Sequence, residues 1–86
     1  MKNPFREDVV YKQKDGVYGY CFCKFKGVKR SINNPDIYAG FIITFQNSNY
    51  NNNLYTLTEY INFHESDIER FIPHAIEIRG AYYKIL

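Results

Sequence analysis

From Val9 to Phe25 apolar and polar side chains alternate around a central Asp15-Gly16 pair, the pattern of two strands joined by a tight turn. A two-residue type I′ turn at that pair predicts a register matching Lys14 with Val17, Lys12 with Gly19, Tyr11 with Tyr20 and Val9 with Phe22. Cross-strand partners share a face. This register therefore groups Val9, Tyr11, Tyr18, Tyr20 and Phe22 as the core side of the hairpin and leaves Lys12, Lys14, Val17, Gly19 and Cys21 on the other.

Residues 27–36 read as a polar connection ending in the turn Asn33-Asn34-Pro35-Asp36, whose residue types favour turns. Ile37 to Gln46 is almost continuously apolar, as in a central strand. Residues 47–53 are Asn-rich and read as a loop. Leu57, Tyr60, Ile61, His64, Ile68, Phe71 and Ile72 then recur at helical spacing until Pro73, which ends such a pattern. Thr56 with Glu59, and Ser66 with Glu69, have the spacing of capping boxes, so the helix is expected to break near 64–66 and restart. Residues 75–79 alternate again, Gly80 interrupts, and residues 81–86 form a last strand.

The order β-β-β-α-β predicts an α+β domain, a small antiparallel sheet with one amphipathic helix packed on a face. The alternative is a small all-β barrel in which residues 54–63 form a fourth strand, since Thr and Tyr favour strands. Eighty-six residues make a single domain, 1–86, near the lower size limit for autonomous folding. Its core must come from large side chains, supplied here by seven Phe, nine Tyr and ten Ile against three Ala. No apolar run approaches the roughly 20 residues of a membrane span. The first residues lack a secretion signal, so a cytoplasmic location is expected.

Asn, Ile, Tyr, Lys and Phe, all with AT-rich codons, supply 42 of the 86 residues. This bias points to an AT-rich genome such as that of a low-GC bacterium or its phage. It also weakens any argument from aromatic content alone.

Charge is unevenly placed. Between residues 12 and 30 lie Lys12, Lys14, Lys24, Lys26, Lys29 and Arg30 against the single acid Asp15, whereas residues 31–86 carry six acids against three cations. A basic hairpin end and an acidic helix face are expected. The overall charge of +2 excludes a mimic of DNA built from massed carboxylates.

Cys21 and Cys23 are too close along one strand for an unstrained disulfide, so free thiols are expected. A zinc site from Cys21, Cys23, His64 and His74 has donors of the right type but not the usual spacing. His64-Glu65-Ser66-Asp67 gathers acid, base and hydroxyl, yet adjacency along a chain does not converge such groups on a substrate. Helix initiation explains them as well. No phosphate loop, nucleophile set or carboxylate pair is present, so a non-enzymatic protein without metal or cofactor is expected.

Tyr18-Gly19-Tyr20-Cys21-Phe22 resembles the centre of the aromatic strand motif of RNA-recognition and cold-shock domains, whose rings stack on bases. Gly16-Val17 stands where that motif has Lys-Gly, and the match covers only these positions. A Tyr-rich core strand accounts for them better, and no family assignment follows.

The leading expectation is a small interaction protein, phage or mobile-element encoded, that inhibits a host protein or a defence nuclease such as a CRISPR or restriction enzyme by covering its surface. Exposed tyrosines are economical anchors for such contacts, with Tyr38, Tyr50, Tyr55, Tyr82 and Tyr83 as candidates. The first alternative is a single-stranded nucleic-acid binder using Lys12, Lys14, Lys24, Lys26, Lys29 and Arg30. The second is a homo-oligomer acting as a small-molecule sponge. Expected partners are thus a host protein or nucleoprotein complex, nucleic acid, or a second copy in a homodimer, with no membrane contact.

Overall fold

The computed structural model describes residues 3–15, 19–47 and 54–85, with Asp15, Gly19, Tyr20, Asn47 and Leu54 described by backbone alone. The described residues contain six strands: β1 (Val9–Asp15), β2 (Gly19–Arg30), β3 (Ile37–Asn47), β4 (Leu54–His64), β5 (Ile72–Ile78) and β6 (Ala81–Lys84). They form one antiparallel sheet in the order β4-β3-β2-β1-β5-β6. A 3₁₀ helix, η1 (Glu65–Arg70), carries the chain from β4 across the sheet to β5. No helix among the described residues is long and apolar enough to cross a membrane.

The expected amphipathic helix is absent, and the α+β assignment is corrected to an all-β fold. Residues 54–64 pair with β3 along their whole length, from Ile37 opposite His64 to Asn47 opposite Leu54. Tyr55, Leu57, Ile61 and Phe63 also fit a period of two, interrupted only by Glu59, and Thr and Tyr favour that extended state. The Thr56–Glu59 box therefore lies within a strand. The helical turn that does form is capped two residues earlier than Ser66–Glu69, at His64–Asp67. The His64 ring accepts from the Ser66 amide, and the Asp67 carboxylate accepts from the His64 amide.

The core lies on one face of the sheet. Val9 and Tyr11 from β1, Cys23, Phe25 and Val28 from β2, Tyr38 from β3 and Phe63 from β4 are buried together with Phe5. Phe5, from the segment preceding β1, stacks on Phe25 with ring centroids 3.9 Å apart. Ile68, within η1, and Phe71, its C-cap, close the cluster. The Tyr11 hydroxyl, buried here, accepts from the Arg6 amide, so its polar end is satisfied.

The β1–β2 register differs from the sequence expectation by an odd number of residues. Tyr11 faces Cys23, Lys12 faces Phe22, and Asp15 faces Gly19. Three residues, 16–18, thus connect the strands instead of two; the predicted turn itself lies outside the described residues, as does Tyr18. An odd slip exchanges the two faces. Phe22 consequently leaves the expected core side and joins Lys12, while Cys23 and Phe25 take the core.

β2 also runs on through the expected connection to Arg30. It does so by a bulge between Lys26 and Lys29, where Gly27 adopts φ +65°, the left-handed conformation a bulge glycine supplies. The bulge lowers Val28 onto β3 opposite Gly40. A Cβ on Gly40 would stand 2.7 Å from the Val28 Cα. The turn at 33–36 forms as expected, with the Asn34 side chain accepting from the Asp36 amide. Pro73 does not end a helix; it sits at an irregularity of the β1–β5 pairing, where a missing amide is tolerated. The left-handed pair Arg79 and Gly80 joins β5 to β6.

Candidate functional site

The second face of the sheet has no covering element among the described residues. Strand alternation assigns its side chains. β1 contributes Val10, Lys12 and Lys14; β2 contributes Phe22, Lys24, Lys26 and, beyond the bulge, Lys29. β3 adds Ala39, Phe41, Ile43 and Phe45, and β4 adds Thr56, Thr58, Tyr60 and Asn62. At the other end lie Ala75 and Glu77 from β5 with Lys84 and Tyr82 from β6.

Six lysines therefore share one face: Lys12, Lys14, Lys24, Lys26, Lys29 and Lys84. Among the described residues, the one carboxylate this face receives from the sheet is Glu77, whose Oε2 is engaged by the Lys24 Nζ. The acids Glu59, Glu65, Asp67 and Glu69 lie on the opposite side, on the core-side parity of β4 or on η1. The lysines are thus gathered on one face of the sheet, while the acids opposite them are interspersed with Arg30 and Arg70, which lie near Glu65 and Asp67; the expected division between a basic hairpin end and an acidic helix face does not form.

Aromatic rings flank these cations on the β3–β4 side. Phe41 and Tyr60 pair across β3 and β4, edge to face at 5.1 Å, and remain exposed at 44% and 62%. Lys26 is the β2 partner of Phe41, so Lys26, Phe41 and Tyr60 form one row across three strands. Lys24, Ile43 and Thr58 form the next.

Toward β5 and β6 the sheet curls. Phe45 of β3 meets Tyr82 of β6 edge to face at 5.9 Å, although β2, β1 and β5 lie between their strands. Four strand spacings in a flat sheet are about 19 Å, so the face is folded into a trough. The trough has a volume of about 410 Å³ and is lined by Val10, Phe22, Phe45, His74, Ala75, Tyr82 and Lys84. His74 leans on Phe22 with ring centroids 4.8 Å apart. The Lys24 ammonium lies 6.0 Å from the Tyr82 ring centroid.

Five of the six cations chosen from sequence converge here. The sixth, Arg30, does not. It falls on the core-side parity, donating to the Tyr38 hydroxyl at 2.5 Å and to the Pro35 carbonyl, with Glu65 at 3.9 Å. Tyr38 is also corrected. It is buried at 4% exposure, stacked on Phe63 and held under the Arg30 guanidinium, so it cannot anchor a partner. Tyr55, Tyr82 and Tyr83 are about half exposed, and Tyr50 lies outside the described residues. Sequence reasoning missed Phe41, Tyr60 and Lys84. The near-continuous apolarity of residues 37–46 points to a covered strand for Phe41, and the helical spacing of residues 57–72 places Tyr60 on an apolar stripe.

The four donors weighed for zinc are divided. Cys23 is in the core and His74 is in the trough on the other face, while His64 caps η1. Among the described residues no group of three His, Cys, Asp or Glu side chains could hold a metal ion. Burial, reinforced by the neighbouring Cys21, pushes the Cys23 thiol up to about 12, so it stays protonated and unreactive at neutral pH.

Comparison with known protein families, with curated proteins and with solved structures finds no match to this chain. The reading of this face rests on its own geometry.

Proposed function

We propose that this protein binds single-stranded nucleic acid across the open face of its sheet and performs no catalysis. The observation that carries this reading is the sorting of charge about the sheet: six lysines on one face, with the strand carboxylate there already paired, and exposed rings beside them. Lysines track a phosphate backbone, and ring faces accept bases of any sequence. The Lys26–Phe41–Tyr60 row offers the two kinds of contact side by side. The trough, within the size range of small-ligand pockets, accommodates a splayed base beside Tyr82 and Phe22.

Fluorescence polarisation with labelled oligothymidine and oligouridine tests this reading. Binding at low salt that weakens steeply as salt is added is the expected result. No binding at low salt would remove the proposal. A second reading, coverage of a host protein or defence nuclease, draws on Tyr55 and Tyr83, which are about half exposed outside the basic face. It predicts a stoichiometric protein complex that survives substitution of the lysines but not of these tyrosines.

A further inference from the structure

We propose that the outer edge of β4 pairs antiparallel with the same edge of a second copy of this chain, joining two six-stranded sheets into one across a two-fold axis. The inference concerns the edge and not the ligand, and stands whether or not the open face binds nucleic acid.

β4 is eleven residues long and has β3 as its sole sheet neighbour among the described residues. Its outward backbone groups are a template for another strand, and proteins usually blunt such edges with lysines, prolines, bulges or short length. This edge has none of these. Its pairing with β3 is unbroken, and Glu59 is the one acid or base along it other than the terminal His64. The opposite edge, β6, is four residues long and ends in Lys84.

Exposed apolar side chains gather at the same place. Phe41 and Tyr60 stand on the open face, and Tyr55 and Leu57 on the other, all between 44% and 62% exposed. A strand added at β4 gives Tyr55, Leu57 and Tyr60 a new neighbour. The occupant is a second copy because β4 is self-complementary. With Thr58 on the axis, Thr56 faces Tyr60 of the other copy, Tyr55 faces Ile61, and Leu57 faces Glu59. Directly opposed like charges, which destabilise strand pairs, are avoided. The chain offers β4 no cation to recruit an acidic strand, and only one carboxylate to recruit a basic one. Such an isologous contact closes at two subunits. It would also bring the two Phe41–Tyr60 rows together beside the axis, making one continuous aromatic strip flanked by the lysines of both copies.

Sedimentation equilibrium in the absence of nucleic acid, from micromolar to millimolar protein, decides the question. The mass should approach twice the 10.3 kDa of the chain. Thr58→Lys sets two cations across the axis and should raise the dimer dissociation constant by up to about fivefold, while Thr58→Val should leave it unchanged or lower. Circular dichroism checks that both variants stay folded, as the exposed position of Thr58 allows. Amide exchange in the unmodified protein provides a readout without substitution: protection in β4 should rise with concentration. A monomer at all concentrations, an assembly larger than two, a dimer indifferent to Thr58→Lys, or β4 protection independent of concentration would each overturn the inference.

Discussion

Replacing the lysines of the open face one at a time by glutamine should lower the salt dependence of oligonucleotide binding in steps. Lys24 is committed to Glu77, and Lys12 also makes contacts within the fold. Lys14, Lys26, Lys29 and Lys84 are the cations assigned to phosphates. For single strands each such contact contributes about −0.7 to the slope of log K against log salt, so four predict about −2.8, or roughly a fiftyfold loss of affinity between 50 and 200 mM salt. Each single substitution should reduce the slope by about 0.7. Arg30→Gln is the control, because that guanidinium faces Tyr38 and Glu65 on the other side of the sheet; its slope should match the unmodified protein. Glu77→Gln should act in the opposite sense. It releases Lys24, steepening the slope by up to about 0.7 and tightening binding. Fluorescence polarisation with an oligothymidine of about twelve nucleotides, within the range one small sheet domain covers, reads all of these. A slope shallower than −1, or an Arg30 variant that lowers it as much as Lys26→Gln does, would refute the assignment of this face.

Tyr60→Ala should weaken oligonucleotide binding by about 1–3 kcal/mol through loss of a stacking surface, and Tyr60→Phe should retain it; equal losses in both would point to the hydroxyl instead. Gly40→Ala should destabilise the fold by about 1–3 kcal/mol, because its Cβ would meet backbone atoms of Val28 at 2.7 and 2.9 Å. Thermal unfolding should then fall by about 4–8 °C per kcal/mol, and an unchanged midpoint would contradict the packing described. Gly27→Ala meets nothing within 4 Å and should cost only about 1–2 kcal/mol, from its left-handed backbone alone. For Cys23 the sign follows from burial. Its thiol titrates near 9.0 unfolded and near 12 folded, so the unfolded chain holds fewer protons between these values. Its contribution to stability is complete below pH 9 and declines by up to about 1.4 kcal/mol per pH unit above it. Urea titrations from pH 8 to 10.5 should show a shallower alkaline decline in Cys23→Ala than in the unmodified protein.

Several elements were legible in the pattern of the chain. The period-two run of β3, the turn at Asn33–Asp36 and the break at Gly80 all follow local rules that the fold obeys. Residues 54–63 were not decidable from spacing alone, since Leu57, Tyr60, Ile61 and His64 satisfy a helix while Tyr55, Leu57, Ile61 and Phe63 satisfy a strand. Pairing with β3 settles the choice, and that is a contact between segments, invisible to either period. Phe5 is a similar case. Nothing in its neighbourhood marks it as core, yet it fills the centre of the aromatic cluster by stacking on a residue twenty positions later.

The exchanged faces of β2 are a different matter, because the information that resolves them was present. Within one strand Phe22, Lys24 and Lys26 share a face, and Cys23 and Phe25 share the other. Sending Phe22 to the core would send both lysines with it, and unpaired lysines are almost never fully buried. Burying Cys23 and Phe25 instead costs no charge, and their exposure is 1% each. The turn signal at Asp15-Gly16 is local and worth little against the desolvation of two ammonium groups. The connection therefore lengthens to three residues and the register slips by an odd number. That slip places Phe22 among the lysines and not beneath them. The alternation of β2 thus specifies both the core and the binding face, and a substitution such as Lys24→Ile with Lys26→Val should weaken the discrimination between the two registers before it affects overall strand content.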